Sequence, residues 1–310
     1  MTSDDARARR GDGVPDDAWR RALERRLGTS VRVLDRAPLS GGYVAASVEK
    51  LVLDVDGRER TVVLKAASPV EVAAMRAVAV VAVGQDAPRG SRPPGHQGPH
   101  RVDRLRPVAG PPKALAIGPG WLVLPFVDAP ALGAAEPVPE PVWRTLAAVH
   151  AHWLGKRPRG IPVVDAAWWA ALCDRTLVAV RGGLARTGER EFAAAESALL
   201  AWRADPAITD CLARLPRTLV HGDAHRGNVL GDTLIDWGGA RVAPAALDLA
   251  TLRAQGAVPP PWFAEPPGAD WADVHVHVQY LGFAADHLGA ARVGEMIATA
   301  TEARARLGTP

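Results

Sequence analysis

Apolar positions fall into two regimes along the chain. In the first third, β-branched and aromatic residues gather in short runs, Val31–Leu34, Tyr43–Val55 and Thr61–Leu64, which predict strands. Asp56-Gly57 marks a hairpin turn between the last two. Apolar residues at helical spacing between Asp16-Asp17 and Gly28 predict a helix over 16–27. Ser68-Pro69-Val70-Glu71 opens another, running to about Val83, with Ser68 as N-cap, Pro69 at N1 and Glu71 closing a capping box. Residues 84–112 carry Gly, Pro, Arg and His without periodicity and read as an exposed loop. Lys113–Ile117 and Trp121–Pro125 read as paired strands. From about 137 the period becomes helical, over 140–154, 165–181, 188–204, 207–214, 244–254 and 270–304. Strands first and helices after predict an α+β chain of two parts joined near Val127–Pro130. Residues 1–14 are expected to be a flexible N-terminus, 15–127 a β-rich part and 128–310 a helical part.

Composition narrows the classes. Apolar residues make up 48% and charged residues 23% of 310 positions, ordinary for a globular protein with a real core. The net charge is +3, and the arginines are spread along the chain with the acids, so no basic block supports a nucleic-acid partner. No apolar stretch is long enough for a membrane helix, and the first ten residues have no signal-like apolar core. Cys173 and Cys211 form no metal-spaced pair. Together these predict a cytoplasmic protein with reduced thiols. The oligomeric state is not legible.

One stretch carries chemistry. Thr218-Leu219-Val220 reads as a buried strand leading into His221-Gly222-Asp223. Beyond it, Val229-Leu230 and Thr233-Leu234-Ile235 flank Gly231-Asp232, a two-residue hairpin turn. In that register Asn228 faces Ile235, so Asn228 and Asp236 emerge side by side at the open end, where Asp223 arrives from the preceding loop. Two carboxylates and an amide oxygen converge there. Such a hard-oxygen set suits Mg²⁺, which binds few protein oxygens and fills its shell with water and phosphates.

The stretch resembles the aminoglycoside phosphotransferase and choline kinase family, whose wording is close to H-G-D-x-H-x-x-N, I-D-W and D-L-A. Here it stands as His221-Gly222-Asp223-Ala224-His225-Arg226-Gly227-Asn228, Ile235-Asp236-Trp237 and Asp248-Leu249-Ala250. The resemblance implies a protein-kinase-like fold with a β-rich nucleotide-binding N-lobe, a hinge and a helical C-lobe. It also implies transfer of the γ-phosphate of ATP, with GTP not distinguished, to a hydroxyl of a small molecule with Mg²⁺. The implied acceptor is an aminoglycoside, another antibiotic or an amino sugar.

On that reading Asp223 is the candidate to take the proton of the attacking hydroxyl, and Asn228 and Asp236 hold Mg²⁺. Gly41 and Gly42, between two strands, bring backbone N–H groups toward phosphates. Lys65 closes an apolar strand where kinases keep the lysine of the α- and β-phosphates, with Glu71 as its candidate partner. The gap between the two is short, and the capping box already accounts for Glu71. Leu124 and Phe126 belong to the hinge that would receive an adenine. His221 is expected to brace the loop, His225 to stand behind Asp223 or in solvent, and Asp248 to pack near the loop without reacting.

The acceptor site falls in the helical part, including 165–182 and 251–310. The latter holds six acidic residues against four arginines, a mild fit to a polycation. Trp168, Trp169, Trp262, Phe263 and Trp271 are either sugar platforms or core. Two other readings stand beside the kinase: an inactive nucleotide-binding regulator, and a metal-dependent hydrolase using His221, Asp223 and His225.

Overall fold

The computed structural model describes residue 14 and residues 16–39, 47–81 and 113–307. Its N-terminal part is helix α1 (Asp16–Leu27) followed by β1 (Val31–Pro38), β2 (Val48–Val55) and β3 (Arg58–Ala66). Helix α2 (Pro69–Ala79) and strands β4 (Ala116–Gly118) and β5 (Trp121–Pro125) complete it. The five strands form one antiparallel sheet in the order β1-β2-β3-β5-β4. Leu51, Leu53 and Val55 of β2 alternate inward with Val62 and Leu64 of β3. Trp19, Leu23 and Leu27, spaced four apart on α1, lay one apolar stripe on that face.

Helices dominate the rest: α3 (Glu140–Trp153), α4 (Ala166–Thr187), α5 (Arg190–Trp202) and α6 (Pro206–Arg214) come first. Three short pieces carry the motif, β6 (Thr218–Val220), β7 (Val229–Leu230) and β8 (Thr233–Leu234), and β9 (Arg241–Ala243) pairs back on β6. Helices α7 (Ala246–Arg253), α8 (Ala269–His287) and α9 (Ala290–Leu307) close the chain. One core is internal to these helices. Another joins the two parts, packing Val72, Met75 and Val78 of α2 on Trp143 and Leu146 of α3 and on Leu219, Val229 and Trp237 beside the motif. The motif is therefore seated on both parts.

The α+β reading holds, with corrections at element ends. Strand β1 continues to Pro38, beyond Leu34, because a bulge between Val33 and Asp35 breaks the alternation and then resumes pairing with β2. Helix α2 stops at Ala79, short of Val83, where β-branched Val78, Val80 and Val81 accumulate and Val81 N bonds Val78 O in a tight last turn. Helix α4 runs past Gly182-Gly183 to Thr187. Gly183 is a packing glycine, since a Cβ there would strike the Phe192 ring of α5. The span 270–304 is two helices, divided at Gly289 in the left-handed region at φ 83°. The expected loop over 84–112 and the start of the second strand lie outside the described residues. Cys173 and Cys211 are free thiols. No helix among the described residues is long and apolar enough to cross a membrane.

Candidate active site

Lys65 leaves the end of β3 and its ammonium lies 2.7 Å from Glu71 Oε1 and 2.8 Å from Asp236 Oδ1. The capping box is only half formed. Ser68 Oγ accepts from the Glu71 N–H at 3.1 Å, while the Glu71 carboxylate turns to Lys65. Backbone and side chain of Glu71 thus serve two purposes at once. Burial pulls the Lys65 ammonium down, but Glu71 and Asp236 outweigh it and hold its pKa above the ordinary value. Burial pushes the Glu71 carboxyl up against the pull of Lys65. Burial also acts on Asp236, yet its bond and charge pairing with Lys65 keep that carboxyl below the usual range. One cation serves two carboxylates, and the more exposed one is the stronger acid of the two.

Asp236 takes a left-handed conformation, φ 59° and ψ 68°, that few non-glycine residues adopt. The hairpin forms as the spacing requires: Val229 pairs Leu234, Leu230 pairs Thr233, and Ile235 N donates to Asn228 O at 2.8 Å. Asn228 Nδ2 donates to Asp223 O at 2.9 Å, which turns its amide oxygen away from that carbonyl. The Lys65 and Gly238 bonds of Asp236 both fall on Oδ1, and its side chain is 48% exposed. The amide oxygen of Asn228 and the half-exposed carboxylate of Asp236 are hard-oxygen donors of the kind Mg²⁺ takes.

Beneath the loop sits Asp248, fully buried. Its Oδ2 accepts from His221 N and His150 Nε2, each at 2.9 Å, and its Oδ1 from Gly222 N at 2.8 Å. Burial raises the Asp248 carboxyl, but the bond and charge of His150, then His221 and the Gly222 N–H, bring it below the usual range. His221 bonds Ile235 O through Nε2 at 2.8 Å and accepts the Asp223 N–H on Nδ1 at 3.3 Å. With both ring nitrogens engaged inside the protein, His221 is not a metal ligand. Among the described residues no three His, Cys, Asp or Glu side chains converge as a metal cluster. The hydrolase reading loses its ligand set.

Asp223 is half-buried. Its carboxylate accepts from the Tyr280 hydroxyl on Oδ1, and Oδ2 lies 3.7 Å from His225 Nε2. Gly222, at φ 77°, has no room for a Cβ against Gly239 O, and its own carbonyl accepts from Arg241 Nη2 and, at 3.0 Å, from Gln279 Nε2. Burial pushes the Arg241 guanidinium down to about 10, so it stays charged at neutral pH. Tyr280, Gln279 and His150 lie on helices remote from the motif, and Arg241 lies inside the motif stretch at a position its wording leaves open, so none has a signature in the sequence. Leu124 sits half-buried on β5, and Phe126 follows it with the Lys50 ammonium 4.7 Å over its ring. Gly41 and Gly42 lie outside the described residues.

The aromatic candidates separate. Trp169 and Trp271 are core. Trp168 is half-buried, stacked on His275 at 5.2 Å with Arg241 and Arg175 over its ring at 5.0 and 5.6 Å. Trp262 is 45% exposed under Arg144, and Phe263 packs edge-on against Trp143. The acidic excess of 251–310 is no open anionic wall: Glu265, Asp270, Asp286 and Glu295 each pair with an arginine.

Burial depresses His221, and burial together with Arg241 depresses His275, so both rings take up a proton less readily in the folded state than in the unfolded one. Below pH about 6.5 the unfolded chain takes up protons on these rings before the folded chain does. Stability is therefore present above that pH and falls as pH drops, by at most about 1.4 kcal/mol per pH unit for each ring. Glu71 and Asp273, whose carboxyls are raised mainly by burial, act in the opposite sense. Urea midpoints from pH 7 to 5 are expected to fall less steeply in His275→Phe than in the unaltered protein. Equal slopes would contradict this assignment.

A β-sheet bearing a lysine, joined through a shared core to a helical part bearing an Asp–Asn–Asp hairpin, is the architecture of a protein-kinase-like small-molecule kinase. Residues 38–277 match the model of the phosphotransferase enzyme family, and the chain belongs to that family. Among solved structures, one similar fold is a thermostable mutant of aminoglycoside phosphotransferase APH(4)-Ia in ternary complex with ADP and hygromycin B. Identity is 17% over 94% of this chain and 99% of that one, with a TM-score of 0.51. Another is choline kinase from Cryptosporidium parvum Iowa II, 9% identical over 89% of this chain and 90% of that one, with a TM-score of 0.54. At these identities the likeness is one of fold. No curated protein matches the chain.

Proposed function

We propose that the protein is an ATP- and Mg²⁺-dependent O-phosphotransferase whose acceptor is a hydroxyl of a small organic molecule, an aminoglycoside, another antibiotic or an amino sugar. The observation that carries the reading is Lys65 bridging Glu71 and Asp236 while Asn228 ties the same hairpin to Asp223. Phosphoryl transfer is mostly positioning and charge stabilisation, and this arrangement supplies both. Residues 15–127 would hold the nucleotide, with Gly41 and Gly42 near its phosphates and the backbone at Leu124 and Phe126 near its base. Residues 128–310 would supply the loop and acceptor pocket. Asn228 and Asp236 would hold Mg²⁺, which when bound neutralises charge on the phosphates. The ADP in the APH(4)-Ia complex supports a nucleotide. The hygromycin B there and the choline of the other kinase support a hydroxyl-bearing acceptor.

In the transfer step Asp223 receives the acceptor's proton as its oxygen bonds the γ-phosphorus, and the bond from that phosphorus to the nucleoside diphosphate breaks. An inactive regulator is disfavoured, because the Lys65–Glu71 pair on which it turned is formed. Lys65→Met is expected to weaken binding of a non-hydrolysable ATP analogue by about tenfold or more, the worth of one charged hydrogen bond. Unchanged affinity by calorimetry would remove Lys65 from the nucleotide site. The reaction itself is tested by ADP release with Mg·ATP across hygromycin B, spectinomycin, choline, amino sugars, nucleosides and peptide antibiotics. At least one acceptor should raise the rate in a Mg²⁺-dependent way; none doing so, with nucleotide bound, would sink the proposal.

A further inference from the structure

Two successive residues of α8 reach the motif from the far side of the helical part. Gln279 bonds the Gly222 carbonyl at 3.0 Å, and the Tyr280 hydroxyl donates to Asp223 Oδ1. The backbone of Asp223 is already fixed, since its N–H goes to His221 and its carbonyl accepts from His225 N at 2.8 Å and Asn228 Nδ2 at 2.9 Å. What that leaves free is rotation of the carboxylate, and Tyr280 removes it. Oδ1 is turned to the phenol and Oδ2 toward His225, 3.7 Å away.

We propose that Tyr280 is a positioning residue for phosphoryl transfer, holding Asp223 Oδ1 so that Oδ2 alone meets the acceptor hydroxyl. The inference rests on Asp223 being the base. The acceptor O–H proton passes to Oδ2 as the acceptor oxygen bonds the γ-phosphorus. The bridging P–O bond breaks, and its electron pair leaves with the nucleoside diphosphate. Tyr280 gives up no proton in this step. Burial and the adjacent Asp223 carboxylate push its phenol well above its ordinary value, so it remains a donor wherever the enzyme is folded. The neighbouring Gln279 serves the same end by fixing the Gly222 carbonyl, which Arg241 also holds.

The test is a double-mutant cycle on Tyr280→Phe and Asp223→Ala, with Mg·ATP and water as acceptor, a rate that needs no knowledge of the natural substrate. Tyr280→Phe is expected to lower kcat by about tenfold or more, as misplacement of a reacting group does, with the Kd of Mg·ADP changed less than about twofold. In the Asp223→Ala background the same change should move the residual rate by less than about twofold, because the group it positions is gone. No loss in the single variant, or equal losses in both backgrounds, overturns the proposal. No loss on Asp223→Ala itself overturns the assignment of Asp223 instead, so the two failures are distinct. Crystal structures with Mg·ADP give a readout independent of rate: Asp223 should occupy one rotamer in the unaltered protein and more than one in Tyr280→Phe. A single unchanged rotamer in the variant counts against the proposal.

Discussion

Asp223→Ala is expected to lower kcat for transfer to an organic hydroxyl by about 10²- to 10⁴-fold, the range of a positioned general base. The loss should be nearly confined to kcat. The bond from Asp223 to the proposed metal ligand Asn228 is made by its carbonyl, and the backbone survives the substitution. Lys65 bonds both Glu71 and Asp236 without using Asp223. Binding of Mg·ADP should therefore change by less than about twofold, a difference of under about 0.5 kcal/mol. Isothermal titration and initial rates on one preparation separate the two quantities. A variant that retains more than about a tenth of the rate would show that Asp223 is not the base.

Asp248→Ala is expected to give the largest loss of stability, about 3–5 kcal/mol, the range found when one partner of a buried charge network is removed. Three donors depend on this carboxylate: the N–H groups of His221 and Gly222, and the His150 ring. None of the three can turn to water, because Asp248 and His221 are fully buried and His150 nearly so. Globular proteins are stable by only about 5–15 kcal/mol, so this is a large share of the total. Asp248→Asn preserves the volume and one acceptor oxygen and should lose less. Because the folded state holds the Asp248 carboxyl below its ordinary value, its stabilisation is complete above the unfolded pKa and disappears as pH falls through the folded one. Urea unfolding measures the loss, and a shift below about 1 kcal/mol would contradict the role of Asp248 as the anchor of the loop.

The parts of the site written in adjacent residues were legible from sequence. The Gly231-Asp232 turn fixes the register, and the register sets Asn228 against Ile235, the residue before Asp236. Asp248 also kept its expected place under the loop. The Lys65–Glu71 pair was undervalued because capping already accounted for Glu71. Its backbone N–H does the capping, while its carboxylate reaches Lys65. Tyr280 was not legible at all. It lies 57 positions from Asp223 on a helix that buries residues around most of its circumference, and nothing local says which side chain that helix will present to the loop. His150 and Arg241 were hidden in the same way, since their partners are set by tertiary packing. Among the elements, the ends were misread where a bulge or a packing glycine changed the meaning of a local signal, as at Leu34 and Gly183.

The central claim is transfer of a phosphoryl group from a nucleotide to a small-molecule hydroxyl. It is tested most directly by following the γ-phosphate of labelled ATP, with Mg²⁺ and an acceptor that raises ADP release, into its product. The expected result is one label per ADP on a phosphate monoester of the acceptor, abolished by EDTA and by Asp223→Ala. Label recovered only as inorganic phosphate, or on the protein itself, would contradict it.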